Sequence, residues 1–262
     1  MANKLYTNKK WLTTQYCKLK IPTADIAKSC DSNANIIRYW CRKFNLKRYR
    51  LRKGRYYDVN EDYFSKINNT EKAYWLGFIA ADGCVGDKKG QKMLSIELAF
   101  KDKSHLEKLK KNIGYSGPVH DKIRTVKGEL RYSCYLTICC ERIVDDLFKL
   151  GIVPRKSSIL KRPNIKEEFF RHWIRGYFDG DGSVSVCNGK NIIGQFFGTK
   201  DVIEFICENR PGRGSPCKKK DSKGWYCSWG GNLISKKIYD YMYKRSKVCL
   251  ERKKKVFLSL SK

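Results

Sequence analysis

Two acidic residues, Asp82 and Asp181, close two stretches of sequence that match each other. The first reads Trp75-Leu76-Gly77-Phe78-Ile79-Ala80-Ala81-Asp82-Gly83, and the second Ile174-Arg175-Gly176-Tyr177-Phe178-Asp179-Gly180-Asp181-Gly182. In each, apolar residues surround two small residues four positions apart, Gly77 and Ala81 or Gly176 and Gly180, and Asp-Gly follows. Small residues at that spacing make a flat stripe on a helix and let two backbones approach closely. Packed along those stripes, two helices would bring Asp82 and Asp181 side by side at one end. Adjacent carboxylates repel unless cations hold them. Divalent metal does so, and paired metals stabilise both the attacking and the leaving oxygen of a phosphodiester displacement. A single copy reads equally well as the end of a buried helix; two matched copies argue against that reading.

The elements that must position these residues repeat as well, from about Asn60 onward. After the first motif helix, Leu94, Ile96, Leu98 and Phe100 alternate as one face of a strand. Asp102 to Ile113 has helical spacing, a hairpin turns near Lys127-Gly128, and Glu141 to Leu150 is a helix ended by Gly151. The second copy keeps the order. A helix runs over His172–Gly182, a strand over Ser183–Val186, and Asn188-Gly189 is a strong two-residue hairpin signal. Ile192 to Phe197 returns, Asp201 to Glu208 is helical, and a basic hairpin surrounds Lys218-Lys219-Lys220 and Trp225–Trp229. Asn232 to Tyr243 closes the unit as a helix. Each half is helix, two strands, helix, two strands, helix, which predicts an α+β fold with a four-stranded antiparallel sheet per half.

The first residues differ from both copies. A short helical run, Ala24 to Lys28, breaks at Ser29-Cys30-Asp31 and is followed by a longer one from Asn33 to Phe44. Ile36, Ile37, Trp40 and Phe44 form its apolar face, and Ser32 is placed to cap it. Two helices joined by a tight turn suggest a helix-turn-helix. Its exposed residues, Asn33, Asn35, Arg38, Arg42 and Lys43, carry the chemistry that reads phosphates and adenine edges. Lys47, Arg48, Arg50, Arg52 and Lys53 follow without apolar periodicity, as a linker able to track a phosphate backbone. The expected domains are residues 1–55, 56–156 and 157–262.

Composition supports a polyanionic partner. The 262 residues hold 56 Lys+Arg against 26 Asp+Glu, a formal net charge of +30. Hydrophobic residues at 41% and aromatics at 13% suffice for ordinary cores and exclude a disordered basic tail. No apolar run is long enough to span a membrane, and Met1 to Lys10 lacks the apolar region of a secretory signal. Twelve cysteines without a CxxC pair are then expected as reduced thiols, in a cytoplasmic or organellar-matrix compartment. The ten-residue spacing of Cys207, Cys217 and Cys227 does not suffice for a metal site.

The two motif helices resemble the signature helices of the LAGLIDADG homing endonucleases, over roughly Lys72 to the C-terminus. The resemblance implies a monomer that folds as a pseudo-dimer, each half's sheet forming a saddle along the DNA major groove. It implies that Asp82 and Asp181 bind catalytic divalent metal, Mg²⁺ with Mn²⁺ as a substitute, assisted by the carbonyls of Ala81 and Gly180. Ala80 departs from the acidic residue that the second copy keeps as Asp179. The family also places a basic residue near each metal. Lys156 and Lys253 match between copies, as do Lys101 and Lys200, which precede Asp102 and Asp201. Lys218, Lys219 and Lys220 would add salt-dependent contacts to the phosphates. The expected activity is a metal-dependent double-strand break in a long duplex target. The alternatives are a non-cleaving transcription regulator and an RNA maturase that assists intron splicing.

Overall fold

Asn8 and Asn33 start the helices of the N-terminal residues. The Asn8 side chain accepts from Trp11 N at 3.1 Å to open α1 (Lys9–Thr13), which continues as a π turn over Thr14–Lys18. Helix α2 (Thr23–Ser29) leads through a short turn, with Asp31 at φ 48°, into α3 (Ala34–Lys43). The Asn33 side chain accepts from Asn35 N at 2.7 Å, so Asn33, and not the expected Ser32, caps α3. Ile37 and Cys41 are the buried residues of α3, whereas Ile36, expected on the apolar face, is 42% exposed. Tyr6, Leu12, Ile26, Ala27 and Cys30 complete this small core. The computed structural model describes residues 4–19, 21–46, 57–88, 90–212, 214–220, 222 and 224–259. Arg48, Arg50 and Arg52 lie outside the described residues. By its contacts the chain divides into Met1–Tyr56 and Tyr57–Lys262.

In the second unit, Asn69 caps α4 (Thr70–Asp82) by accepting from Lys72 N at 2.8 Å. The first half continues with β1 (Gly83–Lys88), β2 (Gln91–Ala99), α5 (Lys103–Ile113), β3 (His120–Val126), β4 (Glu129–Ile138) and α6 (Glu141–Lys149). The second half runs α7 (Phe170–Asp181), β5 (Ser183–Cys187), β6 (Asn191–Gly198), α8 (Lys200–Asn209), β7 (Cys217–Lys218), β8 (Trp225–Gly230) and α9 (Asn232–Met242). A further helix, α10 (Glu251–Leu258), follows. Strands pair antiparallel in the orders β1-β2-β4-β3 and β5-β6-β8-β7. The fold is α+β, two αββαββα halves.

Turn chemistry fixes the hairpins. Lys127 and Gly128 have φ of 51° and 82°, and Asn188 and Gly189 have 50° and 65°, the pair of positive values that a tight hairpin turn requires. Strand alternation then sends Leu94, Ile96, Leu136 and Ile138 into the core of the first half, and Phe196, Cys227 and Trp229 into that of the second. Phe100, expected to continue the apolar face of β2, lies beyond the strand in a 3₁₀ turn and is 47% exposed. One apolar cluster runs through both halves, and α4 crosses its centre with Ala73 through Ala80 all buried. A helix apolar on every side belongs in such a core. None of the twelve cysteines is joined in a disulfide among the described residues.

Candidate active site

Glycine spacing lets α4 and α7 touch backbone to backbone. A Cβ added to Gly77 would stand 2.1 Å from the Trp173 carbonyl oxygen, and one added to Gly176 would stand 1.9 Å from that of Tyr74. Tyr74 and Trp173 are matching residues of the two copies, three before the glycine in each, so the contact is two-fold in character. One turn on, a Cβ at Gly180 would meet Ala81 Cβ at 2.3 Å and Asp82 Oδ2 at 3.2 Å. The stripes of small residues therefore face each other, and both helices end together at Asp82 and Asp181.

Neither carboxylate accepts a hydrogen bond from the described residues. Burial, then the charge of Asp181, pushes the Asp82 pKa up to about 6. Burial raises Asp181 too, against the pull of Lys156 and Lys253. Carboxylates with free oxygens and raised proton affinity suit a hard cation. No group of three or more His, Cys, Asp or Glu side chains that could hold a metal occurs among the described residues. Mg²⁺ does not need one: it keeps several waters and binds through one or two carboxylates together with substrate phosphates. The donor set fits that ion.

Two buried lysines close the helix ends. Lys156 begins a 3₁₀ turn after Arg155, which holds φ 55°, and its Nζ donates to Ala81 O at 3.1 Å and Gly83 O at 2.5 Å. Lys253, on α10, donates from Nζ to Phe178 O at 2.7 Å, Gly180 O at 2.9 Å and Gly182 O at 2.5 Å. The last carbonyls of a helix lack partners within it and sit at the negative end of its dipole, so a cation there satisfies both. Burial lowers the pKa of both lysines, that of Lys253 to about 8. Lys253 is the leading cation acting on Asp82, and Lys156 the leading one on Asp181. Both lysines thus act on both carboxylates. The carbonyls of Ala81 and Gly180 already accept a lysine proton, and each has a second lone pair.

Lys101 and Lys200 both lie just after the second strand of their half. Lys101 is exposed on the turn after β2; Lys200 opens α8, 3.6 Å from Glu204 and 5.5 Å from the Trp225 ring. Neither is among the cations that act on the two carboxylates. Their neighbours do more. Asp102 binds Arg252 Nε at 3.0 and 3.1 Å, gripping the residue beside Lys253, and Asp201 binds Arg162 Nε at 2.9 Å.

A hub invisible in the sequence lies behind the site. Asp179 is 1% exposed and accepts from Tyr74 Oη at 2.7 Å, Tyr243 Oη at 2.6 Å and Leu250 N at 2.7 Å. Holding Leu250 fixes the chain just before Lys253. Tyr74 Oη also lies 2.9 Å from His105 Nε2, and the buried Arg175 guanidinium sits 5.0 Å from the Tyr74 ring. Burial raises Asp179, against its three hydrogen bonds.

The outward faces of the sheets carry polar side chains. Ser95, Glu97, Thr137, Tyr135, Ser133 and Arg131 share the outward face of the first sheet, and Ser183, Ser185, Gln195 and Ser228 that of the second. A cavity of about 300 Å³ next to Asp181 is lined also by Ala81, Lys156, Tyr177, Thr199 and Lys219. Lys218, Lys219 and Lys220 are all exposed on β7 and its turn. In the N-terminal unit, Asn35, Arg38, Arg42 and Lys43 are exposed on α3, with Arg38 NH1 donating to Asn35 at 2.7 Å. Lys43 lies 4.5 Å from the Trp40 ring, and Asn33 spends its side-chain oxygen on the cap.

No family model and no curated protein matches the chain. Solved structures do. The chain is similar to the homing endonuclease I-WcaI bound to its DNA recognition sequence, with TM-score 0.53 and 13% identity over 75% of this chain and 91% of that one. It is also similar to the meganuclease I-SmaMI bound to uncleaveable DNA, with TM-score 0.50 and 14% identity over 74% and 88%. I-SmaMI is described as a LAGLIDADG homing endonuclease. The pseudo-two-fold pair of Asp-Gly helices between two four-stranded sheets is therefore the LAGLIDADG homing-endonuclease fold.

Proposed function

We propose that the protein is a site-specific endonuclease that makes a Mg²⁺-dependent double-strand break in a long duplex DNA target. The observation that carries this reading is the pair of carboxylates, Asp82 and Asp181, left without hydrogen-bond donors at the centre of a chain of net charge +30. The fold is shared with I-WcaI, which is bound to its DNA recognition sequence. A regulator that only binds would gain nothing from two adjacent anions on a surface built for phosphates.

Asp82 and Asp181, with the free lone pairs of the Ala81 and Gly180 carbonyls, would hold the metal, which supplies charge neutralisation on the phosphate and a water of lowered pKa. The rest is done by the chain itself. Lys156 and Lys253 hold the helix ends in place and offset the two carboxylate charges. Because both lysines act on both carboxylates, both halves contribute to either site, and a single chain acts as its own dimer. The sheets are of a size to enter the major groove, where outward residues of alternating strands reach base edges. Helix α3, read as the recognition helix of a helix-turn-helix, adds contacts at one end through Asn35, Arg38, Arg42 and Lys43.

A plasmid library carrying random inserts, incubated with purified protein and Mg²⁺, tests this reading. Linear products should share one long sequence and should vanish in EDTA. No linear product, or cutting that persists in EDTA, would overturn it.

A further inference from the structure

The strand registers relate the two sheets residue by residue and expose a difference between them. In β2, Glu97 lies opposite Tyr135; in β6, Phe197 lies opposite Tyr226. His120 and Cys217 pair in turn with those tyrosines, and two residues further on stand Lys122 and Lys219. Lys219 N donates to Gly224 O at 3.0 Å, which carries the ladder one step past β7 and keeps the match with Lys122 opposite Ser133.

These matched lysines have opposite surroundings. Lys122 Nζ donates to Glu97 Oε2 at 3.0 Å, Arg124 pairs with the same carboxylate, and Ser133 Oγ donates to it at 2.8 Å. Two cations of the first sheet are thus held by one anion. Lys219 has Phe197 in place of that anion, with its Nζ 5.5 Å from the ring centroid, and pairs with no carboxylate among the described residues. It stands in the wall of the cavity of about 300 Å³ that also contains Asp181, Lys156 and Thr199.

We infer that Lys219 binds a DNA backbone phosphate in the Asp181 cavity, and that its counterpart in the first half, Lys122, does not, because Glu97 holds Lys122 together with Arg124. The inference rests on the proposed nuclease function and adds that the two halves grip the backbone unequally. The strand that enters the Asp181 cavity is then cut before the other.

Binding measured without divalent metal, on a duplex carrying the selected target, tests the grip directly. Each neutralised phosphate contributes a slope of about −0.9 to the dependence of log affinity on log salt. Lys219→Met should make the slope shallower by about one, and Lys219→Arg should keep it. Phe197→Glu, which sets a carboxylate under Lys219, should act like Lys219→Met. Glu97→Gln should steepen the slope by about one to two by freeing Lys122 and Arg124. An unchanged slope in Lys219→Met, or a shallower one in Glu97→Gln, would overturn the inference. In Mg²⁺, with each strand end-labelled, Lys219→Met should slow one strand by on the order of tenfold and leave the other within about twofold, the scale of losing one charge clamp on a transferring phosphate. Equal slowing of both strands would also overturn it. If the wild-type protein binds and cuts, such results count against Lys219 alone; if it does neither, the functional reading itself fails.

Discussion

At the scale of single residues, Asp82 would set the pH dependence of the proposed metal binding. Burial and the neighbouring Asp181 raise its pKa to about 6, so below that pH a proton occupies the oxygens a metal would use. A divalent ion must displace that proton. Its apparent affinity should therefore fall about tenfold per pH unit below 6 and level off above it, as one displaced proton dictates. Mn²⁺ titrations followed by magnetic resonance between pH 5 and 8 would measure this; an affinity flat down to pH 5 would mean that Asp82 takes no part. Asp82 and Asp181 were legible in the sequence because they recur in matched surroundings. Asp179 was legible only as a motif position, since its partners Tyr74, Tyr243 and Leu250 are 105, 64 and 71 residues away. Lys156 and Lys253 were found through the repeat, but their role as caps of buried helix ends depends on contacts across more than 70 residues.

Helix contact governs the next scale. Gly77 and Gly176 each face a backbone carbonyl that cannot swing aside, at 2.1 and 1.9 Å from an added Cβ. Gly77→Ala and Gly176→Ala should each force α4 and α7 apart and destabilise the protein by about 3 kcal/mol or more, at the upper end for overpacking. Gly86→Ala, on β1 with no atom within 4 Å of an added Cβ, should unfold at nearly the wild-type urea midpoint. Equal midpoints for all three variants would contradict the close contact. The four-residue spacing of small side chains made this contact readable in advance. Other element ends were not. Ser32 and Asn33 are equally good caps, and only the backbone geometry selects Asn33. Helix α10 escaped because its apolar residues gather at Val256, Phe257 and Leu258, while the residue it buries earlier is the charged Lys253. Lys101 and Lys200 were singled out because they repeat; both follow the second strand of their half, and Lys200 pairs with Glu204 at 3.6 Å.

Across the whole molecule, the charge of +30 is divided between two units with separate apolar cores. If α3 reads DNA next to the region covered by the sheets, deletion of residues 1–55 should shorten a nuclease-protection footprint on one side only. An unchanged footprint would remove the N-terminal unit from recognition. The α+β repeat was readable because hairpin signals such as Asn188-Gly189 and strand alternation recur in the same order twice. The sharing of one core by the two halves was not, because it is made by residues of both copies meeting at α4 and α7. In the proposed function, the excess positive charge binds DNA while two negative charges direct its cleavage. Binding and cutting of the selected target by wild type, Asp82→Asn and Asp181→Asn separate the two most directly. Both variants should bind the duplex at least as tightly as wild type in the absence of metal and fail to produce a double-strand break in Mg²⁺. Wild-type cutting by either variant would contradict the account.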